Sequence, residues 1–183
     1  MPVNTSIEQQ MLAAIPHLRA FAVSLTGDLD RADDLVQGAL LRAIEKIDLF
    51  QPGTQLQAWM FTILRNQFRT EYRKRKREVE DPDGARAARV PVMPAQGSHL
   101  DFHDMLTALR KLPVEQREAL VLVTAEGMSY EETARICGTN IGTIKSRINR
   151  ARSTLAKHLA LESDEEPGPG RLIRAALMMH ASP

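Results

Sequence analysis

Apolar residues in the N-terminal part of the chain recur three or four positions apart, which is the spacing of one face of a helix. No stretch alternates apolar and polar residues in the way of a half-buried strand. The pattern predicts a helical block from about Ile7 to Arg77. Two sets of apolar residues mark helices within this block: Leu35, Ala39, Ile44 and Ile47, and then Leu56, Trp59, Met60, Ile63, Leu64, Phe68 and Tyr72.

The periodicity stops after this block, in a stretch with three prolines, two glycines and few large apolar residues. This composition predicts a flexible linker. Helical signals return at 101–111, and Pro113 can open a further helix as its first residue. We therefore expect an all-α fold of two small helical domains. The expected parts are a domain at 1–78, the linker at 79–98, a second domain at 99–161, and an acidic and amphipathic tail at 162–183.

A helix-turn-helix signature occupies the sequence SYEETARICGTNIGTIKSR in the second domain. Ser129, followed three residues later by Glu132, predicts a capping box at the start of a helix. Gly138 can adopt the positive φ of the turn, and Asn140 can cap a second helix that runs to about Lys157. Four isoleucines are expected to be buried in this motif: Ile136, Ile141, Ile144 and Ile148.

The second helix of the motif has no acidic residue between positions 140 and 157. A basic helix after such a turn would fit the major groove of DNA. The alternative is a solvated helix in a bundle whose basic face arose by chance. The basic residues of this helix are Lys145, Arg147, Arg150, Arg152 and Lys157.

A second basic surface is predicted on the helix at 56–77, on a face away from its apolar residues. We call it the basic rail and define it as Asn66, Arg69, Arg73 and Arg77 together with the run 73–77. Phosphate binding with release of counterions explains such a density of positive charge. The alternative is a localisation-type or solubilising cluster.

The polar segment Phe50-Gln51-Pro52-Gly53-Thr54-Gln55 precedes this helix. A tight loop of this kind could hold an unstacked base, because single strands are recognised by stacking and by polar contacts to base edges. Trp59 follows the loop closely, and we expect it to pack in the core.

Charge is segregated along the chain although the formal net charge is only +1. Residues 1–50 carry seven acids and four bases, whereas residues 65–78 carry seven bases and two acids. This asymmetry predicts two different partners. The near-neutral overall charge argues against a nonspecific nucleic-acid coat protein, whose whole surface would be basic. No apolar stretch approaches the roughly 20 residues of a membrane span, and the N-terminus lacks the order of a secretory signal. We therefore expect a cytoplasmic protein that does not enter a membrane.

No phosphate-binding glycine loop, nucleophile motif or metal-ligand cluster is present in the sequence. The nearest metal candidate is the pair His99 and His103 with Asp101 between them, and surface histidines are the better interpretation because no second ligand pair lies nearby. Cys137, the one cysteine, is expected to be a small core residue. The sequence predicts no enzymatic activity, no metal and no cofactor.

Three segments of the sequence resemble the extracytoplasmic-function family of RNA polymerase sigma factors. They are DRADDLVQGALLRAIEKI at 30–47, FQPGTQLQAWMFTILRNQFRTEYRKRKRE at 50–78, and LPVEQREALVLVTAEGMSYEETARICGTNIGTIKSRINRARSTL at 112–155. The phrase LFQPGTQLQAWMFTILRN is most similar to the EcfG-type branch, which serves the general stress response of alphaproteobacteria.

The resemblance implies a region-two domain that binds the clamp helices of core RNA polymerase and opens the minus-10 element, and a region-four domain that reads minus-35 duplex. It also implies control by a small anti-sigma factor of the NepR type. The residues expected to bind core polymerase are Asp33, Asp34, Gln37, Arg42 and Glu45. Those expected to bind the minus-10 nontemplate strand are Phe50, Gln51, Pro52, Gly53, Thr54, Asn66, Arg69 and Arg73. Those expected at minus-35 are Asn140, Thr143, Lys145, Ser146, Arg147 and Arg150.

Gly38 departs from the family pattern, which usually has Glu after Asp-Leu-Val-Gln. We expect Gly38 to cost helix stability, roughly 1 kcal/mol relative to Ala, and to remove a charge from the polymerase-binding face. The alternative function is a sigma-like mimic that sequesters an anti-sigma factor without supporting transcription, which would have no need of the basic rail. An ordinary helix-turn-helix regulator would explain the second domain only.

Overall fold

The structure is a computed structural model that describes residues 5–79 and 106–162. Every regular element in these two ranges is helical, which confirms the predicted all-α fold. The chain divides into two compact units, one at each end of the sequence. The expected linker beyond Val79, the histidines at 99 and 103, and the tail beyond Glu162 lie outside the described residues.

The first unit consists of three helices that pack against one another. They are α1 (Thr5–Thr26), α2 (Leu29–Glu45) and α3 (Leu56–Val79), and a short 3-10 helix (Ile47–Leu49) follows α2. At the centre, the rings of Phe21 and Phe61 meet edge to face with centroids 5.3 Å apart. Leu18, Leu35 and Leu64 are fully buried beside them. The core therefore sits where the three apolar faces converge.

The junction between α1 and α2 is fixed by local polar contacts. Asp28 caps α2 by accepting a hydrogen bond from the Arg31 backbone N–H at 2.9 Å, after Gly27 has taken a positive φ of 65°. The Arg19 guanidinium on α1 donates to both carboxylate oxygens of Asp33 on α2, at 2.6 and 2.9 Å. This hydrogen bond and the charge of Asp33 raise the pKa of Arg19.

Two apolar residues that were expected to belong to core-facing stripes are exposed. The buried face of α2 passes through Ala39 and Ala43, so Ile44 points away and is 51% exposed. On α3 the last buried apolar side chain is Phe68, and Tyr72, one turn further, is 45% exposed. The expectation was wrong at both positions because periodicity does not show where the partner helices end.

Gly38 lies on the side of α2 that faces α3. A Cβ atom at this position would overlap Nε2 of the buried Gln67. A Cβ atom at this position would thus point toward α3, and the expectation that Gly38 removes a charge from the polymerase-binding face stays a prediction. Glycine lets Gln67 occupy the space between the two helices.

The second unit contains a helical stretch at 106–110 followed by α4 (Val114–Thr124), α5 (Tyr130–Cys137) and α6 (Ile141–Glu162). The last three helices pack pairwise. The core includes fully buried Leu120 and Leu122 from α4 and Ile144 and Ile148 from α6. The buried Arg117 donates through Nη2 to the Leu112 carbonyl at 3.0 Å, which ties α4 to the segment before it.

The structure confirms the local chemistry of the helix-turn-helix. Ser129 and Glu132 form the predicted capping box, with hydrogen bonds of 3.1 and 2.8 Å. Gly138 ends α5 in the left-handed conformation at φ 61°. Asn140 Oδ1 accepts from the Thr143 backbone N–H at 2.7 Å, so it caps α6 as predicted. Cys137 is buried, as expected.

Three details of the second unit differ from the sequence-based expectations. Ile141 is 37% exposed, because as the first residue of α6 it lies at the edge of the buried stripe. Pro113 is the residue before α4 rather than its first residue, and its extended ψ of 144° explains why the helix starts one position later. The helix α6 continues past Lys157 to Glu162.

Candidate nucleic-acid interface

The outward surface of α2 combines charged and apolar side chains. Asp34, Gln37, Arg42 and Glu45, four of the five residues expected to contact polymerase, are exposed. The fifth, Asp33, is half-buried and held by Arg19. Sequence reasoning missed three large apolar side chains that are exposed on or just after α2: Leu41, Ile44 and Leu49.

Leu41 follows Gln37 by four residues, and Ile44 and Glu45 follow Leu41 by three and four residues. Residues at these spacings share one face of α2. Apolar side chains with a charged rim are typical of protein-binding surfaces. Leu41 and Ile44 are three residues apart and lie off the buried face that passes through Ala39 and Ala43. Sequence reasoning missed this surface because it placed Ile44 in the core stripe.

The loop between α2 and α3 is a preformed turn. The Thr54 backbone N–H and its hydroxyl both donate to the Gln51 carbonyl, at 3.2 and 2.7 Å. Gly53 has a φ of 91°, a conformation that favours glycine. The side chains of residues 51–55 are exposed. The turn therefore presents polar groups to solvent without needing a partner to order it.

An aromatic pair forms the base of this loop. Phe50 and Trp59 have ring centroids 5.5 Å apart and planes inclined by 50°. Both residues are half-buried. Trp59 was expected in the core, and the structure instead places it at the edge, where it contacts the first residue of the loop. Phe50 is thus held in position while part of its surface remains open.

The basic rail lies along the second half of α3. Asn66, Arg73 and every residue of the run 73–77 are exposed, and Arg69 is half-buried. Residues 66, 69, 73 and 77 are spaced three, four and four apart and therefore follow one side of the helix. From Leu56 to Arg77 the helix rises by about 30 Å, at 1.5 Å per residue. The loop thus lies at the start of α3 and the rail along the second half of the same helix.

The helix α6 turns a polar face away from its buried isoleucines. Lys145 and Arg150 are exposed on it, and so is Asn149, which sequence reasoning missed. Ser146 is half-buried and its hydroxyl donates to the Thr143 carbonyl at 2.9 Å. The half-buried Arg147 lies at the edge of this face, with its Nη1 nitrogen buried. Asn140 uses its side-chain oxygen as the helix cap.

Lys145 also contacts the first helix of the motif. Its Nζ atom lies 5.9 Å from the ring centroid of Tyr130, the first residue of α5. This distance is within the range of a cation–π interaction. Tyr130 was not predicted as a site residue, because nothing in the sequence pairs it with a residue fifteen positions later.

No helix within 5–79 or 106–162 is both long and apolar enough to cross a membrane. In the same ranges no group of three or more His, Cys, Asp or Glu side chains could hold a metal ion. The described surfaces are instead of two kinds. One unit presents a polar loop and a basic rail, which suit a single strand, and the other presents a helix suited to a major groove.

These features define a two-domain, helical DNA-binding protein of the transcription-initiation class. Residues 12–78 match Sigma-70 region 2, and residues 102–155 match Sigma-70, region 4. The chain belongs to the ECF RNA polymerase sigma factors. Members of this family are initiation factors and not enzymes, as the sequence predicted.

The family assignment rests on similarity over nearly the whole chain. The ECF RNA polymerase sigma factor EcfG of Rhodopseudomonas palustris is 56% identical over 177 residues, which cover 97% of this chain and 98% of that protein. The sigma factor RpoE of Bartonella quintana, solved in complex with the anti-sigma factor NepR, is 49% identical with a TM-score of 0.79. That match covers 86% of this chain and 98% of RpoE.

A third relative is more distant. CnrH, solved in complex with the cytosolic domain of CnrY, is 27% identical with a TM-score of 0.68 and covers 90% of this chain and 92% of that one. The resemblance to extracytoplasmic-function sigma factors that the sequence indicated is therefore confirmed.

Proposed function

We propose that this protein is a general stress sigma factor that acts in the cytoplasm, where it binds core RNA polymerase and directs initiation at promoters with minus-35 and minus-10 elements. The observation that carries this proposal is the presence, in one chain, of an ordered polar loop and an exposed basic rail on one helical unit, and of a helix-turn-helix with an exposed basic second helix on the other. The 56% identity to EcfG supports the assignment to the stress-response branch.

Core polymerase binds the outward face of α2 in this proposal. Asp34, Gln37, Arg42 and Glu45 supply the polar contacts, and Leu41 and Ile44 supply the apolar area that stabilises most protein interfaces. Asp33 contributes mainly by fixing α2 to α1 through Arg19. This division separates residues that touch the partner from one that positions the helix.

The minus-10 element is opened by the first unit. One flipped base of the nontemplate strand enters the loop Phe50–Thr54, where the aromatic edge of Phe50 and the polar groups of Gln51 and Thr54 can contact it. Flipping costs a few kcal/mol, which stacking and hydrogen bonds must offset. Asn66, Arg69 and Arg73 then bind the phosphates that follow, so the strand is held apart along α3.

The minus-35 element is read by α6. The exposed Lys145 and Arg150 can reach base edges or phosphates, whereas Thr143, Ser146 and Arg147 are half-buried and suit contacts at the edge of the groove. Asn140 keeps its amide nitrogen available, because only the side-chain oxygen serves as the cap. Phosphate contacts fix the position of the helix and base contacts give its specificity.

We infer that a small anti-sigma factor of the NepR type controls this protein. The similar RpoE was solved in complex with NepR, and that complex supports the inference. The exposed apolar residues of α2 are a surface that such an inhibitor can cover. We expect the inhibitor to draw together the two predicted domains, at 1–78 and 99–161, across the linker at 79–98. Small-angle X-ray scattering on the free protein and on its complex tests this expectation. A complex whose radius of gyration is no smaller than that of the free protein would contradict this drawing together of the two domains.

Transcription of fragmented genomic DNA by core polymerase, with and without this protein, tests the proposed function directly. The 5′ ends of new transcripts should share a minus-35 and minus-10 pair at constant spacing. A matched reaction contains a variant with Leu41→Asp and Ile44→Asp, which should abolish these starts because the α2 face can no longer dock. Absence of new starts from the wild-type protein, together with tight binding of a NepR-type anti-sigma factor, would instead favour the sigma-like mimic.

A further inference from the structure

An aromatic side chain interrupts the basic part of α3. Tyr72 is 45% exposed, although its position continues the apolar stripe that is buried as far as Phe68. Tyr72 therefore lies on the part of α3 that extends past its last buried apolar residue, where core packing gives no reason for a large ring.

The ring of Tyr72 is held in place from one side. Its centroid lies 5.8 Å from that of Phe68 and the two planes are inclined by only 32°. Phe68 is itself buried, at 4% exposure, so it forms a firm support. A ring that is supported on one side and open on the other loses little conformational freedom when a further flat group stacks on it.

Basic side chains surround this ring. Arg69 and Lys76 are three residues before and four residues after Tyr72, so both project on its side of α3, and the exposed Arg73 lies on the adjoining side of the helix. An aromatic ring among cations that can bind phosphates is the combination by which proteins hold single-stranded nucleic acid. A solubilising cluster would not need the ring, and a core residue would not need the cations.

We propose that Tyr72 is a stacking platform for an unstacked base of the nontemplate strand, separate from the base that enters the loop at 50–55. This proposal rests on the proposed sigma-factor function. Leu56 and Tyr72 are sixteen residues apart on α3, which is about 24 Å at 1.5 Å per residue. A stacked strand advances about 3.4 Å per nucleotide, so the second base lies roughly seven nucleotides or fewer from the first.

The test uses the full chain bound to core polymerase and a mapped promoter whose nontemplate strand carries one abasic site at a time. Tyr72→Leu and Tyr72→Met both remove the ring while keeping apolar volume over Phe68, and Tyr72→Phe keeps the ring and serves as the matched control. Loss of one stacked base should weaken open-complex formation about tenfold. The two ring-less variants should show this loss and Tyr72→Phe should not.

The abasic series identifies the base. At one position the abasic site should weaken opening by the wild-type protein but have no further effect on Tyr72→Leu or Tyr72→Met, because the stacking partner is already missing. At every other position, the loss caused by the abasic site should add to the loss caused by removing the Tyr72 ring. Closed-complex binding and thermal unfolding should be the same for all four proteins.

Two results would overturn the proposal. One is opening by both ring-less variants at the wild-type rate, and the other is full additivity at every abasic position. A wild-type protein that opens no promoter at all would refute the proposed function and the stacking role with it. Failure of the proposed function is therefore distinguishable from failure of the stacking role alone, because it shows in the wild-type protein without any variant.

Discussion

The two basic helices, α3 and α6, present their charge in different ways. On α6, several polar side chains of the region proposed to read DNA have contacts within the second unit: Asn140 caps the helix, Ser146 bonds to Thr143, and Lys145 contacts Tyr130. On α3, the run 73–77 is exposed along the outer part of the helix. In the proposed function, the ordered face of α6 suits a rigid duplex, whereas the exposed outer part of α3 suits a strand that must first separate.

The largest expected effect comes from removing charge from α3. Arg69→Ala with Arg73→Ala should impair promoter opening far more than closed-complex binding, because in the proposed function these side chains bind the nontemplate strand after the strands part. The salt dependence of opening should also weaken, by about 0.7 in the log–log slope for each single-strand phosphate that is no longer neutralised. Footprinting of closed and open complexes over a range of salt concentrations measures both.

Lys111→Ala with Arg135→Ala is the charge-matched control, since it removes two exposed cations from the second unit. It should leave the ratio of open to closed complexes unchanged. An equal loss of closed and open complexes in the rail variant would mean that α3 contacts duplex DNA, and the contrast with α6 would fail.

The next effect concerns the two turns. Gly138→Ala places a side chain at a φ of 61° between the helices of the motif, and should cost the second unit about 1–2 kcal/mol. Gly53→Ala meets similar backbone strain at φ 91°, but in an exposed loop that can relax. Urea denaturation should show the larger loss for Gly138→Ala. The reverse order would show that the loop at 50–55 is the more rigid of the two.

Asn140 allows the cap to be separated from DNA contact. Asn140→Ala should lower stability by about 1 kcal/mol through loss of the cap. Asn140→Asp should keep the hydrogen bond to Thr143 N–H and the stability, yet weaken minus-35 binding, because its charge repels phosphates. Thermal unfolding and duplex binding distinguish the two roles. Normal DNA binding by the Asp variant would assign Asn140 to capping alone.

Gly38 and Gln67 should be coupled. Gly38→Ala gains up to about 1 kcal/mol of helix propensity, but in the wild-type protein this gain is offset because the new Cβ displaces Gln67. In a Gln67→Ala background the same substitution should stabilise the first unit. A double-mutant cycle by urea denaturation measures the coupling. Identical effects of Gly38→Ala in both backgrounds would show that the two residues do not compete for space.

The smallest effect tests the contact between α5 and α6. Tyr130→Leu should weaken minus-35 binding only a few-fold, since an exposed cation–π interaction contributes about 0.5–1 kcal/mol. Tyr130→Phe keeps the ring and should bind like the wild type. If Tyr130→Phe were as weak as Tyr130→Leu, the hydroxyl rather than the ring would be the important group.

Local chemistry made the helix-turn-helix predictable. The capping box at Ser129, the turn at Gly138 and the cap at Asn140 all involve residues within three or four positions, so the sequence carries the full signal. The loop at 50–55 was recognisable for the same reason. Its aromatic base was not, because the contact of Phe50 with Trp59 depends on how α3 leaves the loop.

Features that depend on packing between helices escaped prediction. Ile44 and Tyr72 fit an apolar stripe in sequence, but only the three-dimensional arrangement shows which residues of that stripe are covered. The orientation of Gly38 is set by the proximity of Gln67, twenty-nine residues away in the chain. The exposed Leu41 and Leu49 likewise became visible as a surface only once the buried face of α2 was known.

We propose that the first unit binds single-stranded DNA and the second unit binds duplex DNA. Binding of two DNA probes by each of three core-bound proteins tests this division most directly. The probes are the minus-10 nontemplate strand and the minus-35 duplex of one mapped promoter, and the proteins are the wild type, Arg69→Ala with Arg73→Ala, and Lys145→Ala with Arg150→Ala. We predict that the α3 variant loses affinity for the single strand only and that the α6 variant loses affinity for the duplex only. Equal losses for both probes in both variants would contradict the division.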